Sequence, residues 1–266
     1  MGIHLPAELG TLLTAMVTPF DAAGQVDEDS TVALMHKLIS DGSDGIVVAG
    51  TTGEVATLTD DEQLRLIKLA VDEVGDRCVV VAGTGSNDTR HAVELTEAAT
   101  ELGAHAVLSV TPYYVRPNQR GIKRHFEEVA KATDKPVILY NIPSRCGIDM
   151  PNDLLAELAQ IDRIDAVKQA RETDVQQIDG LELYAGNDDM LRQVLELGGP
   201  GGICVSSHVV GPEMRRMIDH PAEREQIDAR LADIFDALFV TANPIPVKWL
   251  LHRMGKIKSG IRLPMT

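Results

Sequence analysis

The chain alternates short runs rich in Val, Ile and Ala with longer segments whose apolar residues recur at helical spacing. A polar turn follows each apolar run, and this alternation is typical of βαβ units. The apolar runs predict eight strands: Thr14–Phe20, Gly45–Gly50, Val79–Gly85, Ala106–Pro112, Val137–Ile142, Ile164–Ala170, Leu181–Gly186 and Gly202–Ser206. The helical patterns predict helices over Asp29–Asp41, Thr59–Val74, Asp88–Leu102, Gln119–Thr133, Pro151–Leu158 and Asp188–Leu197.

The regular spacing of the strands, with no GxGxxG after the first, favours a closed (β/α)8 barrel over an open doubly wound sheet. The length of 266 residues is near that of one such barrel, so we predict a single domain over residues 1–266. We interpret residues 213–266 as a C-terminal helical extension. Between Arg171 and Gly180 there is space for only about two helical turns, so the helix expected there is short or degenerate.

Charge and cysteine content narrow the classes of function. The 25 Lys and Arg residues against 40 Asp and Glu give a net charge of −15, which repels nucleic-acid backbones and anionic membranes. Cys78, Cys146 and Cys204 are widely spaced without a CxxC pair, which argues against a disulfide scaffold or zinc site and fits a reducing compartment. No segment has the pattern of a signal peptide or membrane span. We therefore expect a cytoplasmic protein that binds neither nucleic acid nor membrane.

Lys168 lies in the predicted sixth strand, where burying an ammonium group is costly unless it has a partner or a function. Two interpretations are open from this segment alone. In the first, the lysine lies at an exposed strand end or in a buried ion pair. In the second, desolvation makes its amine nucleophilic at neutral pH, so that it can condense with a ketone.

Other polar residues follow the predicted strands at the ends where barrel enzymes carry their chemistry. The GTTGE sequence at residues 50–54 could cradle a carboxylate with its N–H and hydroxyl groups, although Gly and Thr are also ordinary loop residues. Three of the four tyrosines lie in TPYY and YNIPSRCG, after strands four and five, where a phenol can exchange protons or simply pack. Arg145 offers a planar fork for a carboxylate, or for a surface salt bridge.

The GGPGG sequence at residues 198–202 lies between strands seven and eight, where many barrels bind phosphate. It keeps a phosphosugar enzyme as an alternative, although no basic residue adjoins it. The histidines show neither HxH nor HExxH spacing, so a metal-dependent aldolase mechanism has little support and no metal site is predicted.

Seven motifs occur in order along the chain: GTTGE, TPYYVRPNQRGIKRHF, YNIPSRCG, AVKQA, YAGNDD, GGICVSS and NPIPVK. Together they resemble the dihydrodipicolinate synthase and N-acetylneuraminate lyase superfamily, from about residue 10 to the C-terminus. Within it, the YY pair and the arginine of YNIPSRCG are similar to dihydrodipicolinate synthases, whereas sialic-acid lyases and 2-keto-3-deoxy-sugar-acid aldolases usually lack that arginine. The resemblance implies a class I aldolase-type barrel that needs no cofactor.

The resemblance also implies a role for each candidate residue. Lys168 would form a Schiff base with pyruvate, and Tyr140 would donate and accept the proton. Thr51 and Tyr114 would complete a hydroxyl relay, with Tyr114 supplied across a dimer interface. The positions that would bind the two substrates are Thr52, the Ile203 backbone, Arg145 and the Gly186 backbone. The implied reaction condenses pyruvate with L-aspartate 4-semialdehyde, in lysine and diaminopimelate biosynthesis, on a homo-oligomer that is a dimer of dimers.

Two other functions stay open beside this one. The first is a pyruvate-releasing aldolase of a 2-keto-3-deoxy sugar acid or of N-acetylneuraminate. The second is a non-catalytic barrel that binds 2-oxo acids. The sequence departs from the family pattern at Cys146, where Thr is usual, and at Gln169, where Glu is common. The link between strands six and seven is shorter than usual, and the chain stops at RLPMT, which we interpret as a truncation of about one helical hairpin.

A last expectation concerns regulation. In family members inhibited by lysine, the inhibitor binds in a cleft between paired subunits. Ala56, Asn87 and Tyr113 match that site, but Gln63 replaces a histidine and His91 replaces a glutamate. An imidazole cannot pair with the α-ammonium group of lysine as a carboxylate does, so we expect lysine inhibition to be weak or absent.

Overall fold

The computed structural model describes residues 9–266 and contains a closed barrel of eight parallel strands in sequential order, which confirms the predicted fold class. The strands are β1 (Leu12–Ala15), β2 (Gly45–Val48), β3 (Val79–Gly83), β4 (Ala106–Val110), β5 (Val137–Asn141), β6 (Ile164–Gln169), β7 (Glu182–Ala185) and β8 (Gly201–Cys204). Almost every strand residue is buried, as expected for parallel strands that are covered on both faces.

Ten α-helices lie in the described part of the chain. They are α1 (Glu28–Ser40), α2 (Asp60–Val74), α3 (Thr89–Glu101), α4 (Gln119–Lys131), α5 (Pro143–Cys146), α6 (Asn152–Leu158), α7 (Leu191–Glu196), α8 (Ser207–Asp219), α9 (Arg224–Leu238) and α10 (Ile245–Arg253). Local capping explains why α2 begins where predicted. The Thr59 hydroxyl accepts the Glu62 N–H, and the Glu62 carboxylate accepts the Thr59 N–H. Among the described helices, none is long and apolar enough to cross a membrane.

The first predicted strand was placed too far along the chain. The structure ends β1 at Ala15. The Met16 N–H still donates to the Val47 carbonyl of β2 at 3.0 Å, but the two residues after Met16 bond outside the barrel ladder. The Val17 N–H donates to His208 Nε2 at 3.2 Å, and the Thr18 hydroxyl donates to the Gly53 carbonyl at 2.7 Å. Between β6 and β7 the described chain forms turns and no helix, so the degenerate connection is as predicted.

His125 on α4 is a buried group that makes the stability of this fold depend on pH. Its Nδ1 is 3.0 Å from the Thr89 hydroxyl, while its Nε2 is buried without a hydrogen-bond partner among residues 9–266. Burial excludes the water that would solvate an imidazolium, and it lowers the pKa of His125 from 6.5 to about 4. The folded chain therefore resists a proton that the unfolded chain accepts.

We expect His125→Leu to reduce the acid sensitivity of the fold. Below pH 6.5 the unfolded state binds more protons at His125 than the folded state does. The contribution of neutral His125 to the free energy of unfolding is therefore present above pH 6.5 and is lost as the pH falls towards 4. When the pH is lowered from 8 to 5, the free energy of unfolding should fall less in the variant than in the parent, by on the order of 2 kcal/mol. Urea unfolding at both pH values measures this shift. An identical pH dependence in the two proteins would show that His125 titrates normally.

Candidate active site

Lys168 lies near the carboxyl end of β6, in register with Tyr140 on β5 and Tyr184 on β7. Only 4% of Lys168 is exposed, and its Nζ lies 4.3 Å from the centroid of the Tyr140 ring. Within residues 9–266, no carboxylate lies within salt-bridge distance of its amine. Lys168 is therefore neither at an exposed strand end nor in a buried ion pair.

The surroundings of Lys168 make its amine a better nucleophile. Burial lowers its pKa from 10.5 to about 8; the nearby Cys204 and Asp188 oppose that shift, and Arg145 adds to it. At pH 7 about one lysine in ten would then be a free amine, compared with roughly three in ten thousand for an ordinary lysine. That gain of about 300-fold in free amine suits attack on a carbonyl carbon.

Tyr140 is well placed to carry a proton to or from a group bound at Lys168. Its side chain is buried, and burial raises the pKa of its hydroxyl above the ordinary value. The phenol therefore stays protonated at neutral pH and can act as a proton donor.

A cavity of about 560 Å³ opens where strands β5 to β8 end. Five residues predicted from the sequence line it together: Thr52, Tyr140, Arg145, Lys168 and Gly186. A site at the carboxyl ends of the strands is the usual arrangement in barrel enzymes, because the loops that follow the strands converge there.

Three other predicted residues do not line this cavity. Thr51 is partly exposed, and within residues 9–266 its side chain makes no hydrogen bond to Tyr140 or Tyr114. Ile203 is fully buried in β8, in register with Leu13. Tyr114 is 87% exposed, has a φ of 68° and does not line the cavity of its own chain. The hydroxyl relay stays a prediction.

Asp188 is a buried site residue that sequence reasoning did not single out, although it belongs to the YAGNDD motif. Its carboxylate accepts the N–H groups of Val205 at 2.8 Å and Ser206 at 3.0 Å, and the Ser206 hydroxyl at 2.7 Å. These bonds fix the turn after β8, where Val205 faces the cavity. Asp188 also places a negative charge near Lys168 and Tyr140, where it acts on the pKa of both.

A buried ion pair anchors the GTTGE loop by joining Glu54 to Lys248 of NPIPVK. Lys248 also donates to the Thr18 carbonyl at 2.9 Å, and Glu54 accepts the Arg262 N–H at 3.1 Å. Buried charges need such partners, since water cannot reach them. The C-terminal segment therefore braces the loop that carries Thr52.

The glycines of GGPGG have a packing role, and the structure does not support a phosphate site. Gly198 and Gly199 precede β8 and Gly201 and Gly202 begin it, so all four lie at the end of the barrel opposite the cavity. A Cβ on Gly201 would lie 1.7 Å from the Thr11 carbonyl oxygen, and one on Gly199 would lie 2.3 Å from the Leu183 carbonyl oxygen. Only glycine allows these close backbone contacts.

Comparison with known proteins agrees with this geometry. The model of the dihydrodipicolinate synthetase family matches residues 8–266. The chain belongs to this family. It is similar to the 4-hydroxy-tetrahydrodipicolinate synthase of Heliobacterium modesticaldum, with 43% identity over 97% of this chain and 90% of that protein.

Two solved structures of dihydrodipicolinate synthases are also similar. The one from Cyanidioschyzon merolae, with lysine bound, has a TM-score of 0.93 and 42% identity, over 97% of this chain and 92% of that chain. The chloride-inhibited one from Acinetobacter baumannii, complexed with pyruvate, has a TM-score of 0.93 and 38% identity, over 97% and 93% of the two chains. The family resemblance inferred from the seven motifs is therefore confirmed.

The two residues that depart from the usual pattern of dihydrodipicolinate synthases are both buried. Gln169 is buried, and its Oε1 accepts the Asn141 amide at 3.0 Å and the Arg171 N–H at 3.1 Å, as a carboxylate could. Cys146 is buried at the end of α5, next to Arg145, and burial raises the pKa of its thiol to about 11. Its thiol is therefore protonated and unreactive at neutral pH.

Proposed function

We propose that this chain is a 4-hydroxy-tetrahydrodipicolinate synthase, which condenses pyruvate with L-aspartate 4-semialdehyde. One observation carries the proposal: the amine of Lys168 is buried without an ion partner among residues 9–266, in a cavity that also holds Tyr140, Thr52 and Arg145. A lysine in this state can attack the carbonyl carbon of a bound substrate. Membership of the dihydrodipicolinate synthetase family supports the same reaction.

The chemistry starts with a carbon–nitrogen bond. The Lys168 amine attacks the keto carbon of pyruvate, and loss of water gives a protonated imine. The imine draws electrons from the pyruvate methyl group, which loses a proton and becomes an enamine carbon nucleophile. That carbon attacks the aldehyde carbon, whose oxygen takes up a proton. The amino group of the second substrate then adds to the imine carbon, closes a six-membered ring and expels the amine of Lys168.

Tyr140 and Thr52 are assigned to the pyruvate half of this sequence. The Tyr140 hydroxyl gives a proton to the departing water and takes one back during enamine formation, because its phenol is protonated beside the amine. Thr52, which lines the same cavity, offers a hydroxyl to the pyruvate carboxylate. Thr51 and a partner's copy of Tyr114 complete the proton relay in this proposal, with the Ile203 backbone at the pyruvate carboxylate.

The charges around the cavity favour an amino aldehyde over a sugar acid. Arg145 supplies a cation for a carboxylate, while Glu172, Asp189 and Asp236 line the same cavity. Burial and the neighbouring carboxylates raise the pKa of Asp189, and a bound ammonium group would relieve that repulsion. L-aspartate 4-semialdehyde carries both a carboxylate and an ammonium group. A 2-keto-3-deoxy sugar acid and N-acetylneuraminate carry no ammonium group, so we rank those aldolase activities second.

Steady-state assays of the purified protein test the choice of substrate. We expect turnover with pyruvate plus aspartate semialdehyde, and at least about a hundredfold lower kcat/KM for cleavage of the sugar acids. Arg145→Ala should raise the KM for the aldehyde while leaving pyruvate trapping intact, and Arg230→Ala, an exposed change on α9, serves as the matched control. Efficient cleavage of N-acetylneuraminate or of a keto-deoxy acid would replace this proposal with the aldolase. Trapping without turnover on either set would favour the non-catalytic barrel.

We propose that the active protein is a cytoplasmic dimer of dimers, and that lysine inhibits it weakly or not at all. His91 Nε2 lies 3.2 Å from both carboxylate oxygens of Asp60, so the nearby carboxylate already has a partner. Gln63 is buried and donates to the Gly83 carbonyl at 2.7 Å, which leaves its amide N–H engaged as well. Neither side chain offers the free anion that the α-ammonium group of lysine requires.

A lysine titration in the condensation assay measures this insensitivity. Losing one charge-assisted bond costs on the order of 2–3 kcal/mol, or a factor of roughly 30 to 150 in affinity, so half-inhibition should lie above about 1 mM. His91→Glu should move it to lower concentration by restoring a carboxylate. Half-inhibition of the parent well below about 1 mM would refute the expectation.

A further inference from the structure

The NPIPVK motif, residues 243–248, is clamped to the GTTGE loop, residues 50–54, at two points. Asn243 Nδ2 donates to Thr52 Oγ1 at 2.9 Å, and Lys248 forms the buried ion pair with Glu54. All four side chains are buried. The ion pair fixes how the two segments face each other, so the first contact is held in a defined geometry. Only Asn243 and Thr52 of these four line the cavity.

Asn243 also contacts Arg145, through a different group. Its main-chain carbonyl accepts a hydrogen bond from Arg145 Nη2 at 3.3 Å. Asn243 therefore contacts both Thr52, which is assigned to pyruvate, and Arg145, which is assigned to the aldehyde. These contacts use separate atoms, so a change in the side chain of Asn243 leaves the main-chain contact available.

The direction of the Thr52 bond decides what its hydroxyl can offer a ligand. A threonine hydroxyl has one proton and two lone pairs. Since Thr52 Oγ1 accepts the Asn243 N–H, and its side chain makes no other hydrogen bond within residues 9–266, its proton is free for a further acceptor. A carboxylate oxygen in the cavity is such an acceptor. A hydroxyl that gave its proton to Asn243 would instead turn lone pairs towards the carboxylate.

We propose that Asn243 is a positioning residue. Its amide N–H directs the Thr52 hydroxyl proton at the pyruvate carboxylate, and its main-chain carbonyl steadies Arg145 for the aldehyde. Asn243 Oδ1 is buried without a partner among residues 9–266, so within the described chain the amide acts through its N–H alone. The inference rests on the proposed function, because it requires a 2-oxo acid carboxylate as the ligand of Thr52.

Two substitutions separate the N–H of Asn243 from its shape. Asn243→Asp keeps the size of the side chain, but a carboxylate accepts hydrogen bonds and would take the Thr52 proton for itself. Asn243→Ala removes the partner and leaves the hydroxyl free to rotate. We expect the pyruvate concentration for half-maximal borohydride trapping to rise by about tenfold or more for Asp and by a smaller factor for Ala. The aldehyde KM of Asn243→Ala should change by less than about threefold, because the main-chain contact to Arg145 persists.

A double-mutant cycle with Thr52→Val shows whether Asn243 acts through that hydroxyl. Once the hydroxyl is gone, adding Asn243→Ala should change pyruvate trapping by less than about twofold, since coupled residues are not additive. Asn152→Ala, at a residue that does not line the cavity, is the matched control and should trap pyruvate like the parent. Circular dichroism and thermal unfolding check the fold of every variant. If Asn243→Asp does not fold, the cycle with Asn243→Ala decides the question alone.

The outcomes separate the two proposals. No pyruvate trapping by the parent protein would remove the proposed function, and the role of Asn243 with it. Normal trapping by the parent, together with parent-like pyruvate binding by Asn243→Asp or additive effects in the cycle, would overturn the role of Asn243 and leave the synthase proposal standing.

Discussion

Lys168→Arg should lose both pyruvate trapping and turnover, because a guanidinium group stays protonated and cannot attack a carbonyl carbon. In the parent protein, borohydride with pyruvate should label Lys168 alone, as peptide mass mapping can show. We expect kcat/KM to fall by at least about a thousandfold, since a covalent nucleophile has no substitute in this site. Lys256→Arg, at an exposed position, is the matched control.

The same lysine sets the pH dependence of imine formation. The free amine is the deprotonated form, so the trapping rate should rise with pH through the lowered pKa of about 8 and then level off. With a lysine of ordinary pKa, the trapping rate would continue to rise up to about pH 10.4. Lys168→Met, an uncharged residue of similar length, tests whether loss of trapping follows from lost chemistry and not from misfolding. A label on another lysine, or an active Lys168→Arg protein, would end this mechanism.

Tyr114→Phe should reduce kcat by a factor on the order of a hundred while leaving the fold intact. The ring is 87% exposed, so removing its hydroxyl costs no core packing. Within residues 9–266 it makes no hydrogen bond to Thr51 or Tyr140, which fits a residue that serves the site of a partner subunit. Turnover and thermal unfolding of the variant measure both parts of this expectation.

Mixing two inactive variants tests the route across the interface. In a hybrid dimer of Tyr114→Phe and Lys168→Arg subunits, one site would hold an intact Lys168 and receive an intact Tyr114 from its partner. Refolding the two together should therefore recover up to about a quarter of parent activity, since half of the dimers would be hybrids with one working site each. Hybrids without activity, or an active monomer in ultracentrifugation, would place Tyr114 outside the relay.

Local sequence signals determined the barrel and its main elements. Apolar runs bounded by polar turns marked all eight strands, because a parallel strand must be buried on both faces. The helix predicted from Thr59 begins there because the Thr59 and Glu62 capping box is complete within four residues. The end of β1 was misplaced, because Val17 and Thr18 carry strand-forming side chains and yet bond to the His208 side chain on α8 and to the Gly53 carbonyl.

Lys168 shows where sequence reasoning alone stops. From the sequence, a lysine in an apolar strand could be either a member of a salt bridge or a nucleophile. The difference depends on whether a carboxylate from another element lies beside it. Only the closed barrel placed Tyr140, 28 positions earlier, next to its amine and left it without an ion partner in the described chain. The motifs supplied candidate roles through resemblance, without the surroundings that set the pKa of Lys168.

The sequence by itself therefore determined which segments become strands and helices, and which residue types stand at the strand ends. The tertiary structure alone decided which of them meet. Thr52 and Asn243 are 191 positions apart, and Glu54 and Lys248 are 194 apart. No local pattern encodes such contacts, because they form only when the barrel closes and the C-terminal segment folds back across its open end. Burial, which shifts the pKa values of Lys168 and Tyr140, arises from the same closure.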